Sequence, residues 1–222
     1  FNGIFTSRLT VPTLIITLGT ANVFNGFMQG ALKSVQINTI PSSMQSFGQA
    51  SLFVAQNRAS GLQSAMPVSF LLLVAVVAAA FFLTRYTMFG RGILAIGGDE
   101  AAAARAGFSV AGTKFWLYVI VGVIAAMAGM VRTCSMGQMH PTNLLGMEMM
   151  VIAAVVLGGT AITGGKGSLT GVMLGTLLIV IVQNSMILTG IPTIWQNFAL
   201  GLLIIVGTGI SAGQVARSRG RT

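Results

Sequence analysis

The chain is 222 residues long, 54% of them hydrophobic and only 7% charged, with a formal net charge of +9 and a mean hydropathy of +0.87. A soluble domain carries about a quarter charged residues, so this composition excludes an ordinary water-soluble fold and describes a membrane chain. Three acids and one histidine leave no hydrolase triad, paired-carboxylate site or zinc spacing, which excludes enzymes of those classes.

Most of the twelve basic residues are arginine, and they sit between apolar runs rather than on a stripe interleaved with aromatics. That placement follows the positive-inside rule of membrane loops and not the footprint of a nucleic-acid binder. Cys134 is the only cysteine, so no intrachain disulfide can form. The chain begins FNGIFTSRL, with neither an initiator Met nor a signal peptide. The expectation is therefore a C-terminal portion of a longer protein, residues 1–222 forming a single transmembrane domain.

Six apolar segments of span type follow in order. The first is about Val11–Ala31, opened by Pro12 where a missing N–H costs little. A polar stretch, Leu32–Ala65, holds only Lys33 and Arg58, and the second span is about Met66–Leu83. Next comes the polar interruption Thr84–Gly112, TRYTMFGRGILAIGGDEAAAARAGFSVAG. Asp99 stands at an N-cap, Glu100 in a first turn, Ala101–Ala104 are strong helix formers, Arg105 lies in a last turn and Gly107 is placed to end the helix. The spacing predicts a helix of about 7 residues, roughly 10 Å long, too short to cross a bilayer or to stand alone in water. Something else must hold it: its own bundle, lipid headgroups or a partner.

The third span is about Phe115–Val131, followed by a Met-rich connector, Arg132–Met147. The fourth, Glu148–Leu157, is too short to cross without extension and breaks at GGTAITGGKGS, Gly158–Ser168; a re-entrant half-helix is the other reading. The fifth span is about Leu169–Leu188 and the sixth about Trp195–Ile210, before a tail with Arg217, Arg219 and Arg221. Arg85, Arg91, Arg105 and Lys114 put Thr84–Lys114 and the tail on the cytoplasmic side, with Leu32–Ala65 outside. The fold class expected is all-α: a polytopic transmembrane helix bundle of about six spans with a short cytoplasmic helix. Small residues four apart, Gly167, Gly171 and Gly175, and Ala125 and Gly129, would let helix backbones approach closely.

Four groups of residues invite a chemical reading. GGTAITGGKGS is not a phosphate loop, because Thr160 stands where the first Gly is needed and Gly167 follows Lys166. It reads either as a plain turn or as unwound backbone lining a path, with Gly158, Gly159 and Thr160 as candidates. Cys134, Met136, Met139, His140, Met147, Met149 and Met150 offer soft ligands of the kind Cu(I) takes, but Met is also an ordinary gap-filler, and no metal is assigned. Glu148 is the only acid outside Thr84–Gly112, either a functional group or a headgroup-level charge. Gln183 and Asn184 could bond a polyhydroxylated solute or a neighbouring helix.

Four motifs in the right order resemble the membrane permeases of bacterial ABC importers of the ribose, xylose and autoinducer-2 class. They are VPTLIITLGT (Val11–Thr20), FGRGILAIGGDEAAAARAGF (Phe89–Phe108), VVLGGTAITGGKGSLTGVMLGTLL (Val155–Leu178) and NSMILTGIPTIWQNFALGLLIIV (Asn184–Val206), the last with Asn184, Gly190, Trp195, Gln196 and Gly201 in the family's places. The family has further N-terminal spans that this sequence lacks. Departures from its pattern are Asp99 for Asn, Ala101 for a second acid, an Arg one position before Arg105, and Glu148-Met149-Met150 for Glu-Leu-Asp.

The resemblance implies a multi-pass permease of a bacterial inner membrane, paired with a second permease subunit, identical or paralogous. It implies ABC ATPase subunits inside, a periplasmic sugar-binding protein outside, surrounding membrane lipid, no cofactor and no enzymatic activity of its own. Gly97, Gly98, Asp99, Glu100, Arg105 and Gly107 then form the ATPase-coupling element, and a small pentose- or hexose-like sugar is the cargo. Two alternatives stand beside it: an ATP-independent channel or secondary transporter, and a branched-chain amino-acid permease of the same superfamily. The spans' lack of charge argues against ion coupling.

Overall fold

The structure is a computed structural model that describes residues 1–8, 13–33, 35–56, 63–142, 144, 146–161, 164–192, 194–196, 198–199, 201–202, 205 and 207. In chain order the elements are α1 (Asn2–Arg8), α2 (Thr13–Leu32), α3 (Ser42–Gln49), β1 (Ser51–Gln56), β2 (Gln63–Pro67), α4 (Ser69–Tyr86), α5 (Met88–Gly98), α6 (Glu100–Arg105), α7 (Val110–Met136), α8 (Met147–Leu157) and α9 (Leu169–Leu188). They fall into two compact units, one of Phe1–Ile93 with Ala103–Leu144 and one of Leu94–Ala102 with Leu145–Thr222.

Among the described residues, α4, α7 and α9 are long and apolar enough to cross a membrane. Their 18, 27 and 20 residues correspond to about 27, 40 and 30 Å of helix, against a hydrocarbon core about 30 Å thick. No residue of α4 is buried, and Phe82 is 63% and Leu71 54% exposed. A helix apolar around its whole circumference, with little packed on it, needs hydrocarbon as its solvent. At its C-terminus the Arg85 guanidinium lies 5.8 Å from the Phe81 ring centre, and Tyr86 stacks on Phe82 at 5.2 Å. That is how a span end anchors in the headgroup layer.

In the first unit, α1 and α3 pack on α7. Both crossings depend on glycine: a Cβ at Gly3 would stand 3.2 Å from the Phe115 carbonyl oxygen, and one at Gly48 would collide with the Cys134 backbone. The segment expected at Val11–Ala31 is α2, of 20 residues; Asn22, Asn25 and Gln29 make it less apolar than α4, and Pro12 lies outside the described residues. β1 and β2 form an antiparallel hairpin with Phe53 opposite Met66 and Ala55 opposite Ser64. Helices dominate as expected, but this hairpin corrects the all-α reading. The polar stretch Leu32–Ala65, together with Met66 and Pro67 from the expected start of the second span, holds Ser51–Gln56 and Gln63–Pro67 in a local strand pair.

Two further boundaries differ from the sequence reading. The interruption at Thr84–Gly112 carries a second helix, α5, ahead of the expected short one. Thr87 allows the bend between α4 and α5: its hydroxyl donates to the Leu83 carbonyl and accepts from the Gly90 N–H at 3.1 Å. The third span runs past Val131 to Met136, where Gly137 in the left-handed region (φ 64°) ends it and its N–H bonds the Thr133 carbonyl. Of the sixth segment, residues 195–196, 198–199, 201–202, 205 and 207 are described and helical; the arginines of the tail lie outside the described residues.

The second unit is built on α8 and α9. Ala153, Ala154 and Ile179 form its core, with Met150 and Leu157 against them. Gly171 and Gly175, four apart, make the approach possible: a Cβ on Gly171 would strike the Gly158 carbonyl, and one on Gly175 the Ala154 carbonyl. Here the small-residue spacing read from the sequence has a packing cause. α8, of 11 residues, is about 16 Å long and cannot cross alone.

Candidate functional site

α6 is short because its caps are strong. The Asp99 carboxylate accepts the Ala102 N–H at 3.0 Å, which is an N-cap bond. At the other end Gly107 takes φ +89°, its N–H bonds Ala104 O, and the Phe108 N–H bonds Ala103 O, each at 3.1 Å. That pair of bonds is a Schellman motif, and only glycine adopts the required backbone without cost. Glu100 lies in the first turn and Arg105 in the last, each at the favourable end of the helix dipole. Ala103 is buried at 3%, whereas Glu100, Ala101, Ala102, Ala104 and Arg105 are exposed. One side chain therefore holds the helix in place while five face outward.

The start of this stretch touches the glycine loop. Ala161 donates its N–H to the Lys166 carbonyl and Gly164 donates to the Ala161 carbonyl, at 2.9 and 3.0 Å. Gly164 and Gly165 both have positive φ, 88° and 75°. A Cβ on Gly97 would lie 2.9 Å from the Gly165 nitrogen, and one on Gly165 would lie 2.6 Å from the Gly98 Cα. Backbone rests on backbone with no side chain between. Gly97 and Gly98, read from the sequence as coupling residues, and the loop after α8, read as a break in a span, are one packed assembly within the second unit.

The other candidates are more dispersed. Glu148 is exposed in the first turn of α8, where the helix dipole favours an anion. Gly159 has φ +82° and, with Gly158, turns the chain out of α8. The Thr160 hydroxyl oxygen is buried without a hydrogen-bond partner among the described residues. Gln183 is half-buried on α9 and Asn184 exposed. In the Met-rich connector Cys134 is buried under α3, and the His140 Nδ1 is engaged by Thr142.

A sequence profile of the family described as branched-chain amino acid transport system / permease component matches residues 1–207. The chain belongs to this permease family. The permease is 31% identical over 205 residues to the autoinducer 2 import system permease protein LsrC of Yersinia enterocolitica, covering 92% of this chain and 54% of that protein. The Klebsiella pneumoniae protein of the same name is also 31% identical, with 92% and 56% covered. A probable ABC transporter permease protein YphD of Escherichia coli is 38% identical over 141 residues, 64% of this chain and 42% of the relative. The chain thus spans about half the length of the relatives it matches. No solved structure matches it. These matches bear out the resemblance to ABC importer permeases and, with the long apolar helices, make the permease a multi-pass membrane protein.

Two features of the permease escaped the sequence reading. Contact between Gly97 and Gly165 joins residues nearly seventy positions apart, and single glycines carry no signal of what they touch. Arg132 was read as the edge of a connector, yet it is inside α7 with its Nε buried; an arginine set between Val131 and Thr133 was the available clue.

Proposed function

We propose that the chain is the membrane-spanning part of an ATP-driven importer for a small sugar in a bacterial inner membrane, its two units serving as one permease domain. In this reading α2, α4, α7, α8 with its flanking residues, α9 and the 195–210 segment supply six crossings. α6 faces the cytoplasm and receives an ABC ATPase subunit, a second permease subunit completes the pathway, and a periplasmic binding protein delivers the solute.

One observation carries the proposal: a doubly capped helix of six residues holds a single buried side chain and turns the rest outward. Such a helix cannot exist for its own stability. The end of α5, joined to α6 through Asp99, rests on the loop that joins α8 to α9, so a push on α6 would pass through the Gly97–Gly165 backbone contact into that hairpin. Rocking of a packed helix pair is how access alternates across a membrane. The relatives named for autoinducer 2 import favour a sugar-like cargo; the family description, which names branched-chain amino acids, favours the second reading, an amino-acid permease.

The test is uptake into proteoliposomes holding the full permease, its ATPase and its binding protein. ATP-dependent accumulation of a pentose or hexose, absent with a non-hydrolysable analogue, is expected. Nucleotide-independent equilibration would select a passive pore instead, and ATP-driven leucine uptake without sugar uptake would select the amino-acid reading.

A further inference from the structure

The first unit contains a cavity of about 480 Å³ at the end of α7, within the size range of small-molecule sites. The chain builds it locally. Ile37 and Met139 exchange both backbone hydrogen bonds at 2.9 Å, and Gln36 donates to the Gln138 side-chain oxygen. These bonds fasten the connector beside the last turns of α7, with α2 and α3 closing the wall.

Beside Asn25 and Thr133, which bring acceptor oxygens, three of the lining groups offer donors. The Arg132 Nε is buried and meets no hydrogen-bond partner among the described residues. Gln138 has its oxygen engaged by Gln36, which leaves the amide hydrogens. The Thr142 N–H points to the His140 Nδ1 at 3.2 Å, which leaves the Nε2 side of the ring for a guest. None of the residues lining the cavity is acidic. A fixed positive charge with an unpartnered Nε and no acidic residue beside it favours an anionic guest rich in acceptor oxygens. A carboxylate fits best, because the guanidinium fork holds it by two charge-assisted bonds. Met28, Met130 and Met136 also line it, polarizable and adaptable, and suited to the C–H face of a small ring or chain. Arg132 also decides against a cation such as Cu(I), which its charge would repel.

We propose that this cavity binds a small hydroxylated carboxylate, a sugar acid, with Arg132 on the carboxylate and His140 and Gln138 on its hydroxyl oxygens. This deepens the importer reading, on which it rests for delivery of the solute, by naming acidic sugars as the substrate class.

The experiment is calorimetric titration of the purified full permease in detergent with D-ribonate and with D-ribose. Ribonate is expected to bind about tenfold more tightly than ribose, the margin of one charge-assisted over neutral hydrogen bonding. Arg132→Gln is expected to remove that margin, so that the two probes bind with equal affinity. Arg132→Lys keeps the charge without the fork, so it weakens ribonate yet preserves the preference, and it serves if the glutamine variant does not fold. Equal affinity for the two probes, binding of neither, or a ribonate preference untouched by both variants overturns the proposal. Because no ATPase takes part, ribonate binding in a protein that fails ATP-driven uptake would sink the importer reading and leave this one standing.

Discussion

Asp99 and Gly107 control whether α6 exists. Asp99→Ala removes the bond to the Ala102 N–H, and an N-cap loss costs about 1 kcal/mol. The expected outcome is faster hydrogen exchange at the amides of 100–105, with Asp99→Asn close to the parent. Gly107→Pro is more severe. Proline cannot take φ +89° and has no N–H to give the Ala104 carbonyl. In reconstituted transporter it should leave insertion intact and lower sugar uptake per ATP hydrolysed by about an order of magnitude or more, since a helix of six residues retains little stability once its C-terminal cap is lost. Parent-like uptake by this variant would remove the coupling role from α6. These caps were legible in the sequence because capping is local chemistry: an acid, a run of alanines and a glycine at fixed offsets leave few other folds.

At the scale of elements, glycines set how closely backbones approach. Gly171→Leu and Gly175→Leu would drive α9 off α8, and overpacking of this kind costs about 1–3 kcal/mol or more. Each should lower the thermal midpoint of the detergent-solubilised protein, whereas Gly122→Leu, where a Cβ meets nothing within 4 Å, should not. Gly97→Ala tests the junction that the coupling proposal needs. Its Cβ displaces the Gly165 backbone, so uptake should fall while ATP hydrolysis persists, and a variant with unchanged coupling would take that contact out of the mechanism. Helix order and the apolar spans could be read from composition and spacing, since hydrocarbon imposes a length and a polarity. The hairpin of β1 and β2, the separate α5 and the extension of α7 could not, because each depends on tertiary contact or a single turn. Of the candidate site, α6 was legible nearly residue by residue. The packing of Gly97 on Gly165 and the burial of Arg132 were not, since neither follows from any local pattern.

For the whole molecule, charge and exposure act together. Leu174 and Leu177 on α9 are 67% and 55% exposed, a surface that only lipid or another subunit can cover. Arg85 at the end of α4, with Arg91, Arg105 and Lys114 after it, concentrates positive charge between α4 and α7, in the stretch that the proposal assigns to the cytoplasm on the positive-inside rule. The account therefore turns on where α6 lies and what touches it. The most direct measurement is cysteine cross-linking at Ala104, an exposed α6 position, in a Cys134→Ser background. In membranes holding the complete transporter, Ala104→Cys should cross-link to the ATPase subunit and resist a membrane-impermeant maleimide added to intact cells whose outer membrane has been made permeable. Labelling from the periplasmic side, with no cross-link to the ATPase, would contradict the account.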